Sequence, residues 1–121
     1  MQGLDWAGAI QDIIAAVKFL KSKGCKKVGV AGFCMGGALT IASMTQSEEI
    51  DVGVPFYGVP DLSKFNLEAI KIPMLAHFGA LDTICGFSDV AAAKNLESKA
   101  KDAGVDFTLK IWENGNHAFM N

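Results

Sequence analysis

The chain has 121 residues, 50% hydrophobic and 20% charged, with a formal net charge of -2. That length fits one domain, residues 1–121, and the apolar content excludes a disordered tail. Only 11 basic residues and no basic stripe argue against nucleic acid as a partner, and every apolar run is interrupted well before membrane-spanning length.

Helical and strand patterns alternate along the chain. Ile10, Ile13, Ile14, Val17 and Leu20 recur at helical spacing between Trp6 and Lys23. Asp5 is placed to cap the start, and Gly24 to end the helix in a left-handed turn. Lys26 to Gly32 reads as a short buried strand, and Met35 to Thr45 as a helix rich in small and aliphatic residues. Asp51 to Tyr57 is a second strand, followed by a turn-prone Gly58-Val59-Pro60-Asp61 and a loop to Ile72. Pro73 to Gly79 is a third strand. Ser88 or Asp89 starts a third helix, with Glu97 and Lys101 one turn apart, and Gly104 ends it. Asp106 to Glu113 alternates as a fourth strand. The expected fold is α/β: four mostly parallel strands with helices on both faces.

The first residues show no basic region followed by an apolar one, so no signal peptide is expected. Cys25, Cys34 and Cys85 are odd in number and lack Cys-x-x-Cys spacing, which points to a reducing, cytoplasmic setting.

Gly32-Phe33-Cys34-Met35-Gly36-Gly37 carries the most chemistry. Gly-x-nucleophile-x-Gly between a buried strand and a helix is the spacing of a nucleophile elbow, here with cysteine. Such a turn demands close backbone approach at Gly32 and Gly36 and lifts the Cys34 sulfur above the sheet edge. It also aims the Met35 N–H at the same point, as a donor for a developing oxyanion. The plainer alternative is a tight turn around a small buried cysteine.

Two later residues weigh against that alternative. Asp82 follows the third strand and His117 the fourth, so nucleophile, acid and histidine reach one edge of the sheet in α/β-hydrolase order. His117 would take the thiol proton, and Asp82 would fix its tautomer.

These residues resemble the dienelactone hydrolases, or carboxymethylenebutenolidases. The likeness runs through Leu4-Asp5-Trp6, the Gly-Phe-Cys-Met-Gly-Gly elbow, Phe56-Tyr57-Gly58, His77-Phe78-Gly79 with Asp82, and His117-Ala118-Phe119. It implies a Cys34, Asp82, His117 triad and hydrolysis of a small ester or lactone through a thioester, with no metal or cofactor. It also implies that these residues match only the C-terminal part of an α/β-hydrolase. Members of the family have further strands before the first helix and a helix after the histidine. The missing strands would supply a second oxyanion donor and a carboxylate-binding arginine, for which no residue here is a counterpart.

The strand Lys26 to Gly32 would then be an exposed edge, and a homodimer pairing across it is expected. Tyr57 and Cys85 are candidates for lining the pocket, with packing as the alternative for each. His77, Trp112 and Phe119 are read as packing residues, Asp12 as a solvated carboxylate and Cys25 as a bystander. Beside the hydrolase stand two other readings: a catalytically silent remnant serving in binding or assembly, and a redox-sensing thiol protein built on Cys34.

Overall fold

The computed structural model describes residues 3–121. Its elements in chain order are α1 (Trp6–Ser22), β1 (Gly29–Phe33), α2 (Met35–Met44), β2 (Val52–Phe56), a short 3-10 turn (Leu67–Ala69), β3 (Met74–Gly79), α3 (Val90–Asp102) and β4 (Phe107–Trp112). Each expected helix and strand is present, with ends moved by at most a few residues. The 3-10 turn inside the expected loop is an addition.

Local chemistry sets the helix ends. The Asp5 carboxylate accepts from Gly8 N–H at 3.0 Å and starts α1. Gly24, at φ 103°, closes it while the Cys25 N–H bonds back to the Leu20 carbonyl at 3.1 Å. Asp89, not Ser88, caps α3, its side chain accepting from Ala92 N–H at 2.9 Å. That single position of offset leaves the Ser88 hydroxyl free for another contact.

The four strands form one parallel sheet in the order β1-β2-β3-β4. Every connection steps one strand in the same direction. Right-handed crossovers therefore put the connecting helices on the same face. This corrects the expectation of helices on both faces: α2 covers β1 and β2, α3 covers β3 and β4, and α1 packs on α2. Under them lie Val28, Ile41, Met44, Met74, Ala76, Phe78, Leu96 and Phe107 as a continuous core.

The opposite face is open. Phe33, Val52, Leu75 and Trp112 are all exposed there, and a row of rings crosses the four strands. Phe33 stacks on Phe56 at 4.6 Å, Phe56 on His77 at 4.7 Å, and His77 on Trp112 at 6.0 Å between centroids. Trp112, expected in the core, therefore belongs to this face. The last turn of α1 also carries Phe19 and Leu20 into solvent, so Leu20 leaves the buried stripe assigned to it.

Candidate active site

The turn from β1 into α2 is strained at its centre. Cys34 is not a glycine, yet it adopts φ 59° and ψ -120°, a conformation that costs on the order of 1–3 kcal/mol. Its neighbours hold it there. The Cys34 N–H donates to the Phe56 carbonyl at 3.1 Å, and its carbonyl accepts from Gly37 at 2.9 Å and Ala38 at 3.3 Å. A Cβ on Gly32 would collide with the Gly36 carbonyl, and one on Gly58 with the Cys34 carbonyl. Gly36 itself faces open space. The close approach expected at both elbow glycines thus constrains Gly32 alone, while Gly36 only supplies the carbonyl it must clear.

Asp82 and His117 arrive on adjoining loops that are tied to each other. Ala80 N–H donates to the Trp112 carbonyl and Leu81 N–H to the Gly115 carbonyl, both at 2.9 Å. The His117 ring then bridges the site: Nε2 lies 3.2 Å from Cys34 Sγ and Nδ1 lies 2.8 Å from Asp82 Oδ2. The Asp82 side chain is fully buried, and its second oxygen accepts from Ile84 N–H at 3.0 Å. A buried carboxylate that close to Nδ1 favours the proton on Nδ1, because two lone pairs facing each other there would repel. Nε2 is left with its lone pair toward the sulfur. Ser88, 0% exposed, is a third partner of the ring: its Oγ lies 3.1 Å from Nδ1.

Tyr57 and Phe87 flank the imidazole, with centroids 5.1 and 6.3 Å from it. Tyr57 is buried and meets the ring edge-on, so packing is its observed contact. Met35 opens α2, where a first-turn N–H has no intrahelical acceptor and stays available to a ligand. A cavity of about 930 Å³, lined by Trp6, Val59, Phe65, Phe87 and Lys99 among others, adjoins this cluster only through Phe87. Among the described residues, no group of three or more His, Cys, Asp or Glu is arranged to hold a metal ion.

Residues 1–121 match the model of the Dienelactone hydrolase family from end to end. The chain belongs to that family. It is 36% identical over 111 residues to Protein usf of Aquifex pyrophilus, covering 88% of this chain and 47% of that one. It is 34% identical over 115 residues to a carboxymethylenebutenolidase homolog of Xenopus tropicalis, covering 92% of this chain and 44% of the relative. The crystal structure of Arabidopsis thaliana SOBER1 superposes with a TM-score of 0.76 at 25% identity, over 93% of this chain and 56% of that one. The chain thus spans about half the length of the relatives it matches, and what they share with it is this part of an α/β-hydrolase fold.

Among the described residues of this dienelactone hydrolase family chain, His77, Cys25 and Cys85 take no part in the hydrogen bonds that join Cys34, His117, Asp82 and Ser88. His77 is mid-sheet, its Nδ1 accepting from Trp112 Nε1–H at 3.1 Å. Burial, and then the nearby Lys110 charge, lower its pKa below the ordinary histidine value. Cys85 is exposed rather than packed, and so is Cys25. Ser88 is the residue that sequence reasoning missed at this site. Its only sequence signal was its place at the start of a helix, which suggested a cap.

Proposed function

We propose that the chain is a thiol-dependent hydrolase of a small ester or lactone, acting through Cys34, His117 and Asp82. The observation that carries this reading is the unbroken relay from Cys34 Sγ to His117 Nε2 and from His117 Nδ1 to Asp82. In the first half-reaction Cys34 Sγ bonds to the acyl carbon as its proton passes to His117 Nε2. The carbonyl oxygen gains negative charge and takes the Met35 N–H. The intermediate collapses, the C–O bond breaks, and the leaving alkoxide takes the proton back from Nε2. In a lactone that alcohol stays tethered to the acyl group.

A water then attacks the thioester while Nε2 accepts its proton. The C–S bond breaks, acid is released, and the sulfur recovers the proton. Throughout, Asp82 holds Nδ1–H and stabilises the imidazolium. One oxyanion donor fewer than a paired hole costs about 3 kcal/mol, a hundredfold or more in rate. The resemblance assigns the second donor to a part of the family fold that these residues do not span.

Hydrolysis of a small activated ester tests this, comparing the chain with Cys34→Ala while intact mass is recorded during turnover. Turnover that vanishes in the variant, with an acyl adduct on the unsubstituted chain alone, is expected. Equal, buffer-like rates in both would overturn it. They would favour the second reading, a catalytically silent binding or assembly module, which the exposed apolar face of Phe33, Val52, Leu75 and Trp112 supports.

We also propose a homodimer formed across β1. Among the described residues, only β2 borders this strand in the sheet, so its outer N–H and C=O groups have no strand partner there. A light-scattering mass of two chains at micromolar concentration is expected; a mass of one chain rejects it.

A further inference from the structure

We propose that Ser88 is a positioning residue for His117, acting as a second acceptor for the Nδ1–H and holding the imidazole in the tautomer that leaves Nε2 free for Cys34. The inference rests on the reading of His117 as the base.

Three observations meet on this hydroxyl. Ser88 is 0% exposed, and its Oγ lies 3.1 Å from His117 Nδ1 while Asp82 Oδ2 lies 2.8 Å from the same nitrogen. Those two oxygens share one proton in a three-centre bond, the shorter contact with the carboxylate and the longer with the hydroxyl. The loop between them is tied together by its own hydrogen bonds. Ile84 N–H donates to Asp82 Oδ1 at 3.0 Å, and the Ile84 carbonyl accepts from Ser88 N–H at 3.1 Å, as well as from Phe87 and Asp89. Asp82, Ile84, Ser88 and His117 therefore form a closed ring of hydrogen bonds.

A ring held from one side by a single carboxylate can still swing about its Cβ–Cγ bond. A second acceptor, off the first line, removes that freedom. Since the His117 side chain is 24% exposed, solvent is the competitor that would otherwise loosen it. The cap geometry supports the assignment, because Asp89 caps α3 and leaves Ser88 no role there.

The test compares Ser88→Ala, which deletes only the hydroxyl, with Ser88→Thr, which keeps it, each checked for native circular dichroism. Nitrogen-15 NMR of the His117 ring, assigned against His77→Gln, reads the tautomer without any turnover. The Ala variant is expected to lose part of its Nδ1–H population, and the Thr variant to retain it. With the activated ester, kcat of the Ala variant should fall by about three- to tenfold with KM little changed, the loss of one ordinary hydrogen bond. An unchanged tautomer in a folded Ala variant overturns the proposal, and so does a Thr variant as impaired as Ala. Should the chain prove inactive, the NMR comparison still decides the role of Ser88, separately from the fate of the hydrolase reading.

Discussion

Two carboxylates at opposite ends of the sheet use similar hydrogen bonds to opposite effect. Asp51, just before β2, accepts from Val28 N–H at 2.8 Å and lies 3.3 Å from Lys21 Nζ and 3.8 Å from Lys27 Nζ. Asp82, just after β3, accepts from Ile84 N–H at 3.0 Å and binds His117 at 2.8 Å. The first joins the entrances of β1 and β2 and is partly open to water, so it serves register. The second is sealed, and its partner is an imidazole that in turn reaches a thiol. The strain is distributed the same way: Cys34, Tyr57 and Ala118, the non-glycine residues with positive φ among those described, all lie beyond strand C-termini or beside them. The lesson is that the C-terminal end spends conformational energy on aiming groups, while the N-terminal end only closes the fold.

Asp82→Asn is the sharpest way to test that division. It should lower kcat by about 10⁴-fold in the ester assay, since an amide no longer fixes the Nδ1–H tautomer, while thermal unfolding changes far less. Comparable losses of rate in Asp82→Asn and Asp51→Asn would erase the distinction between the ends. Ile41→Ala, in the 0%-exposed centre of α2, should cost about 2–5 kcal/mol in denaturant unfolding. That loss sets the scale of packing against which both ends are compared.

His77 offers a smaller effect with a definite sign. Folding lowers its pKa, so the folded state binds the proton less readily than the unfolded one. Its contribution is present above the ordinary histidine value of 6.5 and is lost as pH falls through the lower folded value. Melting curves should show the unsubstituted chain losing stability relative to His77→Gln across that window; parallel curves would refute it.

The smallest effect belongs to Asp51→Asn. The Val28 N–H is the foremost cause that lowers the Asp51 pKa, and the lysines add to it. The stabilisation is therefore complete above the ordinary carboxylate value and disappears as pH falls through the lower folded one. The variant should melt slightly below the unsubstituted chain at neutral pH and converge with it in acid. Salt should narrow the neutral-pH gap, because the charges of half-buried Lys21 and exposed Lys27 contribute part of it.

Much of this protein was legible in its sequence. Helices and strands followed from periodicity and caps: Asp5, Gly24 and Gly104 marked helix ends that the backbone adopts. Gly32, Cys34, Asp82 and His117 could be assigned to one sheet edge because strand-to-loop order fixes which end of a parallel sheet each loop occupies. Ser88 could not. Whether a serine at a helix start caps the helix or reaches elsewhere depends on one residue of offset, which Asp89 decides by taking the cap.

The covered and open faces were equally hidden. Phe33, Val52, Leu75 and Trp112 are as apolar as the residues beneath α2 and α3, and strand alternation says only that neighbours face opposite ways. Local sequence thus determined the elements, the elbow and the order of the candidate triad. Tertiary structure decided which face the helices cover, because crossover handedness acts on the whole sheet. It also brought Ser88 to His117, 29 residues away in sequence, through a loop geometry that no local pattern encodes.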